Sequence, residues 1–226
     1  MTATIVLDSS ALISLSETCL FDVFRALNKK LGIEFIVSEG VVKESIETPS
    51  TIKRFQLSSE RINKGLNEKW IQVKKMDQTA LNLEQKLVSL CGKIFHSNGK
   101  FIQILHLGEA ESLALLNQIN ARILCMDEKT TRMLVENPND LKNLIQKRQG
   151  TTIQADANAL NELNQILPKP IIIRSTELIA LAYEEGLLNE TVSNTLKAAR
   201  ASLYAVKYAG CAVSEEEIEN YIKRRK

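Results

Sequence analysis

The chain has 226 residues, of which 44% are hydrophobic and 25% charged, and its formal charge is +2. These proportions exclude a disordered or fibrous chain and suit one generous domain, or a core domain with an appended helical part. So small a net charge decides nothing about a nucleic-acid partner, because an acidic cleft and a basic rim cancel in the sum.

The first predicted element is a strand at Ile5-Val6-Leu7, an unbroken aliphatic run suited to burial on both faces of a parallel sheet. Asp8 follows it directly, where the carboxyl end of a strand opens onto the ligand crevice of an α/β sheet. Helical spacing then covers Ala11-Leu12-Ile13 and Leu20 to Leu27, with Lys29, Lys30 and Gly32 as stop signals. Ile33 to Val37 reads as a second strand, and Ser38 as the cap of a helix that carries Glu44 and that Pro49 limits. A helix over Ile52 to Glu68, an edge strand at Lys69 to Val73 and a helix from Asp77 to Phe95 come next, before a turn at Ser97-Asn98-Gly99. Leu107-Gly108-Glu109-Ala110-Glu111 opens another helix, and Ile123-Leu124-Cys125-Met126-Asp127 repeats the pattern of an apolar run ending in an acid. After a short helix from Glu128 to Val135, two polar helices joined near Gly150 fill 139–167. Pro170 to Arg174 forms the last strand, Ser175 or Thr176 caps a helix to Glu185, and the tail is helical over Glu190 to Tyr208 and Glu215 to Lys226. Strands separated by helices in this order predict an α/β fold on a mainly parallel sheet of four or five strands.

Cys19, Cys91, Cys125 and Cys211 are far apart with no Cys-x-x-Cys pair, so reduced cysteines in a cytoplasmic protein are expected. No leader pattern opens the chain and no run approaches the roughly 18 apolar residues of a membrane span, so no membrane association is expected.

The absent motifs narrow the chemistry. There is no Gly-x-Gly-x-x-Gly, no phosphate-binding Gly-x4-Gly-Lys-Ser/Thr, no Gly-x-Ser-x-Gly and no His-Glu-x-x-His. Asp8-Ser9-Ser10 lacks the second Asp of an Asp-x-Asp phosphatase, and only His96 and His106 are available for histidine chemistry. If the two strands that end in Asp8 and Asp127 are neighbours, their carboxylates meet and require a cation or a shared proton. Carboxylates without His or Cys partners select Mg²⁺ or Mn²⁺, and such a site suits metal-assisted phosphodiester hydrolysis.

The motifs also carry a family resemblance. Ile5 to Ile13, around Asp8-Ser9-Ser10, resembles the opening motif of the PIN domain family, metal-dependent ribonucleases that include the toxins of toxin–antitoxin pairs. Val41 to Ile46, around Glu44, is similar to the second acidic motif, Leu107 to Ala114 to the third in one subgroup, and Ile123 to Lys129 to the fourth. The resemblance implies a PIN-like three-layer sandwich over 1–186, with a helical insert at about 139–167 and a helical extension over 187–226. It implies a divalent-metal-dependent endoribonuclease with catalytic Asp8, Glu44, Glu111 and Asp127. Among these Asp8, Glu111 and Asp127 would hold Mg²⁺ or Mn²⁺, Ser10 would support Asp8, and Glu109 and Glu128 are alternates to Glu111 and Asp127. RNA is the implied substrate, with an antitoxin or another protein and a second copy of the chain as further candidate partners.

Each acid also has a plainer reading: Asp8 and Asp127 as helix caps, Glu44 as a surface residue, Glu109 and Glu111 as complements to a helix dipole. Lys147-Arg148 and Lys223 to Lys226 could contact phosphates, and Trp70, Tyr204, Tyr208 and Tyr221 could stack bases or simply pack. The alternative functions are a non-cleaving PIN-like module that binds RNA or protein, and an acidic-cluster phosphatase.

Overall fold

The run Thr4–Leu7 forms β1, the central strand in a computed structural model that describes residues 3–167 and 169–225. From β1 the chain passes through α1 (Ser9–Ser16) and α2 (Asp22–Leu31) to β2 (Glu34–Ser38). Next, α3 (Glu39–Val42), a π turn (Lys43–Glu47) and α4 (Thr48–Ser50) follow one another directly, and α5 (Gln56–Asn67) leads to β3 (Ile71–Lys74). Then come α6 (Gln78–Ile94), β4 (Phe95–Ser97), β5 (Lys100–Ile102), α7 (Leu107–Gln118) and β6 (Ile123–Cys125). After α8 (Lys129–Glu136), α9 (Pro138–Gln149), β7 (Gln154–Ala155) and α10 (Ala157–Ile166), the chain forms β8 (Ile171–Ile173) and α11 (Ser175–Glu184). It closes with α12 (Leu196–Tyr208) and α13 (Glu215–Lys223), and Lys226, the end of the predicted last helix, lies outside the described residues.

The five strands lie in the order β3-β2-β1-β6-β8, and every neighbouring pair is parallel. The expected α/β fold is therefore present, with the upper strand number. The pleat of β1 sends Ile5 and Leu7 into one core layer with Phe35, Val37 and Cys125, and Val6 into the other with Leu124 and Met126. The first layer is filled by Leu12, Phe24, Ile62, Leu178, Leu203 and Ile218, and the second by Leu87, Leu113, Leu134, Leu141 and Leu163. From β1 the sheet grows one way through β2 and β3, then the other way through β6 and β8. That reversal opens a crevice at the carboxyl ends of β1 and β6.

Two local expectations are corrected, and the expected turn at Ser97-Asn98-Gly99 is present within a hairpin. Pro49 does not end the helix after Ser38, because the π turn carries the chain into α4 with Pro49 in its first turn. The turn at Asn98-Gly99 is a two-residue hairpin: both residues have positive φ, 49° and 74°, as an Asn-Gly hairpin turn requires. With β7 this hairpin makes a separate three-stranded antiparallel sheet, whose strands of two or three residues leave no alternation to read. Ser175 is not a cap; Arg174 occupies the cap position and Ser175 begins α11.

The tail shares the first core layer. Leu203 and Val206 of α12 and Ile218 and Ile222 of α13 are buried with Leu178 and Ile179 of α11. Arg174 braces this packing by pairing with Glu177 at 2.8 Å and with Glu217 at 2.9 Å. Leu203→Ala is expected to cost about 2–5 kcal/mol in urea denaturation, as for any deep core leucine. A loss under about 0.5 kcal/mol, typical of a surface site, would contradict shared packing.

Candidate functional site

Asp8 continues the β1 backbone, its N–H donating to the carbonyl of Cys125 at 3.0 Å, and its side chain caps α1. Its Oδ2 accepts from the Ser10 amide at 3.1 Å and the Ser10 hydroxyl at 2.5 Å, and its Oδ1 accepts from the Ser112 hydroxyl at 3.4 Å. Only 2% of Asp8 is exposed. Burial raises its pKa, the Ser10 hydroxyl and amide oppose the rise, and the Glu44 charge adds to it. The Ser10 oxygen also accepts from the Asp127 amide at 3.0 Å, so one hydroxyl joins the ends of β1 and β6.

The two aspartates belong to adjacent strands, yet their side chains leave by opposite faces. Leu7 pairs with Cys125 and both point into the first layer, so Asp8, one residue on, points into the second. Asp127, two residues past Cys125, points back into the first layer and is 1% exposed. There its Oδ1 accepts from the Ser175 amide at 2.8 Å and its Oδ2 from the Ser175 hydroxyl at 2.7 Å. Both carboxylate oxygens of Asp127 are thereby committed to the start of α11. Glu128, one residue further, caps α8 through Oε2, which accepts from the Thr131 amide at 2.7 Å, and its charge reaches Glu109.

The same question of phase separates the two glutamates of α7. Ser112, which reaches Asp8, lies three residues after Glu109, and i and i+3 share a helix face. Glu109 is half-buried and its Oε2 accepts from the His106 amide at 2.7 Å. Its pKa is raised to about 7, by burial first, then by the Asp8 charge and more weakly by Glu128. Glu111 faces the seam between α3 and α6, where its Oε1 accepts from the Gly40 amide at 3.0 Å and its charge raises the pKa of Glu84, itself raised first by burial. A Cβ on Gly40 would sit 1.7 Å from Glu111 Oε2, so only glycine permits this approach. Glu44, exposed on the π turn, lies over Gly108, where a Cβ would meet its Oε2 at 2.6 Å.

Across the crevice the Glu44 charge thus acts on Asp8, and the charges of Asp8 and Glu128 act on Glu109, while Glu111 and Asp127 are bound to Gly40 and Ser175. Among the described residues, no three His, Cys, Asp or Glu side chains lie close enough to enclose an ion by themselves. The sequence reading missed Ser112, Ser175, Gly40 and Gly108. Ser112 alone carried a local signal, its place one helical turn after Gly108 and Glu109.

A family model described as a PIN domain matches residues 4–139, more than half of the chain and all six of these acids. The chain belongs to the PIN domain family. Among solved structures, this PIN-domain protein is similar to VapBC2 from Rickettsia felis bound to a DNA fragment from their promoter. That match is 10% identical, has a TM-score of 0.44, and covers 76% of this chain and 98% of the other. None of the curated proteins matches the chain. Among the described residues, no helix is long and apolar enough to cross a membrane.

The environment of Glu109 gives this PIN domain a pH-dependent stability. A folded-state pKa of about 7, above the ordinary 4.5, means that ionisation opposes folding, so stability falls as pH rises from about 4.5 to 7 and is level beyond. In metal-free urea denaturation Glu109→Gln should remove this slope and exceed the parent at pH 8 by on the order of 2 kcal/mol. Equal stability of the two proteins at pH 8 would contradict the crowding of Glu109 by Asp8.

Proposed function

We propose that this PIN domain is a divalent-metal-dependent endoribonuclease whose acidic centre is Asp8, Glu44, Glu109 and Glu128. The observation that carries the reading is a run of interacting carboxylates at the switch point of the sheet, Glu44 acting on Asp8, and Asp8 and Glu128 on Glu109, with Asp8 buried and, among the described residues, without a cationic partner. Their chemistry fits Mg²⁺ or Mn²⁺, because every donor is a hard oxygen. Their spacing fits an ion held through one or two carboxylates that keeps much of its water. When bound, the ion supplies a water of lowered pKa and neutralises charge that develops on a phosphodiester.

The protein's own part is positioning. The Ser10 and Ser112 hydroxyls fix the Asp8 carboxylate from two sides. The backbone amides of His106 and Thr131 each hold one oxygen of Glu109 and Glu128, which leaves the other oxygen of each for the crevice. Among the described residues Glu44 has no fixing bond, and it stands at the exposed rim, where it can take a proton from an attacking water. Asp127 acts through structure, by tying the end of β6 to α11.

Cleavage of a mixed RNA pool in Mn²⁺, with Mn²⁺ binding followed by calorimetry, tests this assignment. Asp8→Asn and Glu109→Gln should each lose activity on the order of 100-fold or more while staying folded. Glu111→Gln should retain activity within about tenfold, and Asp127→Asn should lose about 1–3 kcal/mol of stability. Full activity in Asp8→Asn would sink the nuclease reading, and a greater loss in Glu111→Gln than in Glu109→Gln would reverse the assignment of acids. A second reading, a non-cleaving RNA-binding module, draws on the lack of three converged ligands, and RNA binding with neither cleavage nor Mn²⁺ binding would favour it.

A further inference from the structure

The stretches 85–108 and 141–155 are among those that contain no acidic residue, in a protein with 27 Asp and Glu in all. The fold joins them. In the small antiparallel sheet β4 pairs with β7, Phe95 opposite Ala155 and His96 opposite Gln154. The Ser97 hydroxyl lies 3.1 Å from both the Thr151 hydroxyl and the Thr152 carbonyl, and His96 Nε2 lies 2.9 Å from Gln154 Oε1. Lys100 stands directly opposite Ser97 on the hairpin, and Lys147 and Arg148 end α9 just before the Gly150 turn. All three cations are exposed, and among the described residues none forms an ion pair. Asp156, the next acid along, is committed to capping α10. Beside Lys147 lies a polar hollow of about 410 Å³ lined also by Asn143, Gln146, Gly150, Thr151 and Thr152.

One exposed aromatic ring stands on the same hairpin, one residue after Lys100 and on the other side of the pleat. Phe101, opposite His96 on β5, is 65% exposed, and its only aromatic contact is the edge of the His96 ring at 5.9 Å. Three residues separate Ile102 from His106, the cap residue of α7, a span of at most about 14 Å. The face therefore adjoins the acidic crevice.

We propose that the surface formed by the β4–β5 hairpin and the turn between α9 and β7, whose own residues carry no acid, binds the phosphate backbone of single-stranded RNA and stacks a base on Phe101 as the strand passes the edge of the hairpin. It rests on the ribonuclease reading only in that the bound strand then runs on into the crevice. Four carboxylates repel a polyanion, so cations beside them must hold it, and unpaired lysines and an arginine next to an open ring supply charge and stacking together. Within these two acid-free stretches and among the described residues, Phe101 and Leu107 are the large hydrophobics standing exposed, too little for a protein interface with an apolar core.

The test uses full-length Asp8→Asn protein and a fluorescent single-stranded oligoribonucleotide, with anisotropy read across a salt series. Adding Lys100→Glu and Lys147→Glu together should weaken binding about tenfold or more and lower the salt slope by about 2. Adding Phe101→Ala should weaken it about fivefold with the slope unchanged. In the otherwise unaltered chain the same changes should raise KM for RNA and leave kcat intact. Weaker binding by these variants together with no metal-dependent cleavage by the parent would uphold the face and remove the nuclease reading. Cleavage by the parent with variants that bind RNA equally would do the reverse. No RNA binding by the parent overturns the proposal. So does poly-glutamate competing as well as RNA while Phe101→Ala has no effect, which would assign the face to an acidic protein partner.

Discussion

The register between β1 and β6, with Leu7 opposite Cys125, determines which acids of this PIN domain can meet. Strand side chains alternate, so the residues beyond that pair leave by fixed faces. Asp8 turns to the layer of α7 and Asp127 to the layer of α11, while Glu128 caps α8 and acts on Glu109. The Ser10 hydroxyl holds this arrangement by donating to Asp8 and accepting from the Asp127 amide. A shift of one residue in either strand would exchange the faces and break both hydrogen bonds. Two buried layers of aliphatic side chains, one on each side of β1, oppose such a shift.

The cost of the site is electrostatic. Burial raises the pKa of Asp8 and of Glu109, and each feels at least one further negative charge. Among the described residues no cation compensates Asp8; its side chain accepts from the hydroxyls of Ser10 and Ser112 and from the Ser10 amide. Such a group is costly to maintain in a fold and is a mark of a functional position. Asp127 is equally buried, but both of its oxygens are satisfied by Ser175, the pattern of a structural carboxylate. Burial alone does not distinguish the two aspartates. Their hydrogen-bond partners do.

Much of this architecture is legible in the chain. Ile5-Val6-Leu7 and Ile123-Leu124-Cys125 announce buried strands because composition and the following acid are local signals. Ser38 is readable as a cap for the same reason, and its oxygen does accept from the Val41 amide. Choosing between Glu109 and Glu111, or between Asp127 and Glu128, is not a local matter. It depends on the phase of α7 against β1 and on the register of β6, both set by packing across the sheet. The hairpin at Asn98-Gly99 shows only its turn in the sequence, since strands of three residues have too little pattern to detect. Gly40 and Gly108 look like ordinary helix residues until the carboxylates of Glu111 and Glu44 are found against them.

The most direct test of the central claim is anomalous diffraction at the manganese edge from crystals soaked in Mn²⁺. The account predicts a peak on the α7 side of the β1 carboxyl end, within coordination distance of Asp8 and at least one of Glu44, Glu109 and Glu128, with Asp127 still bound to Ser175. A peak ligated by Asp127 and Glu111 would contradict it.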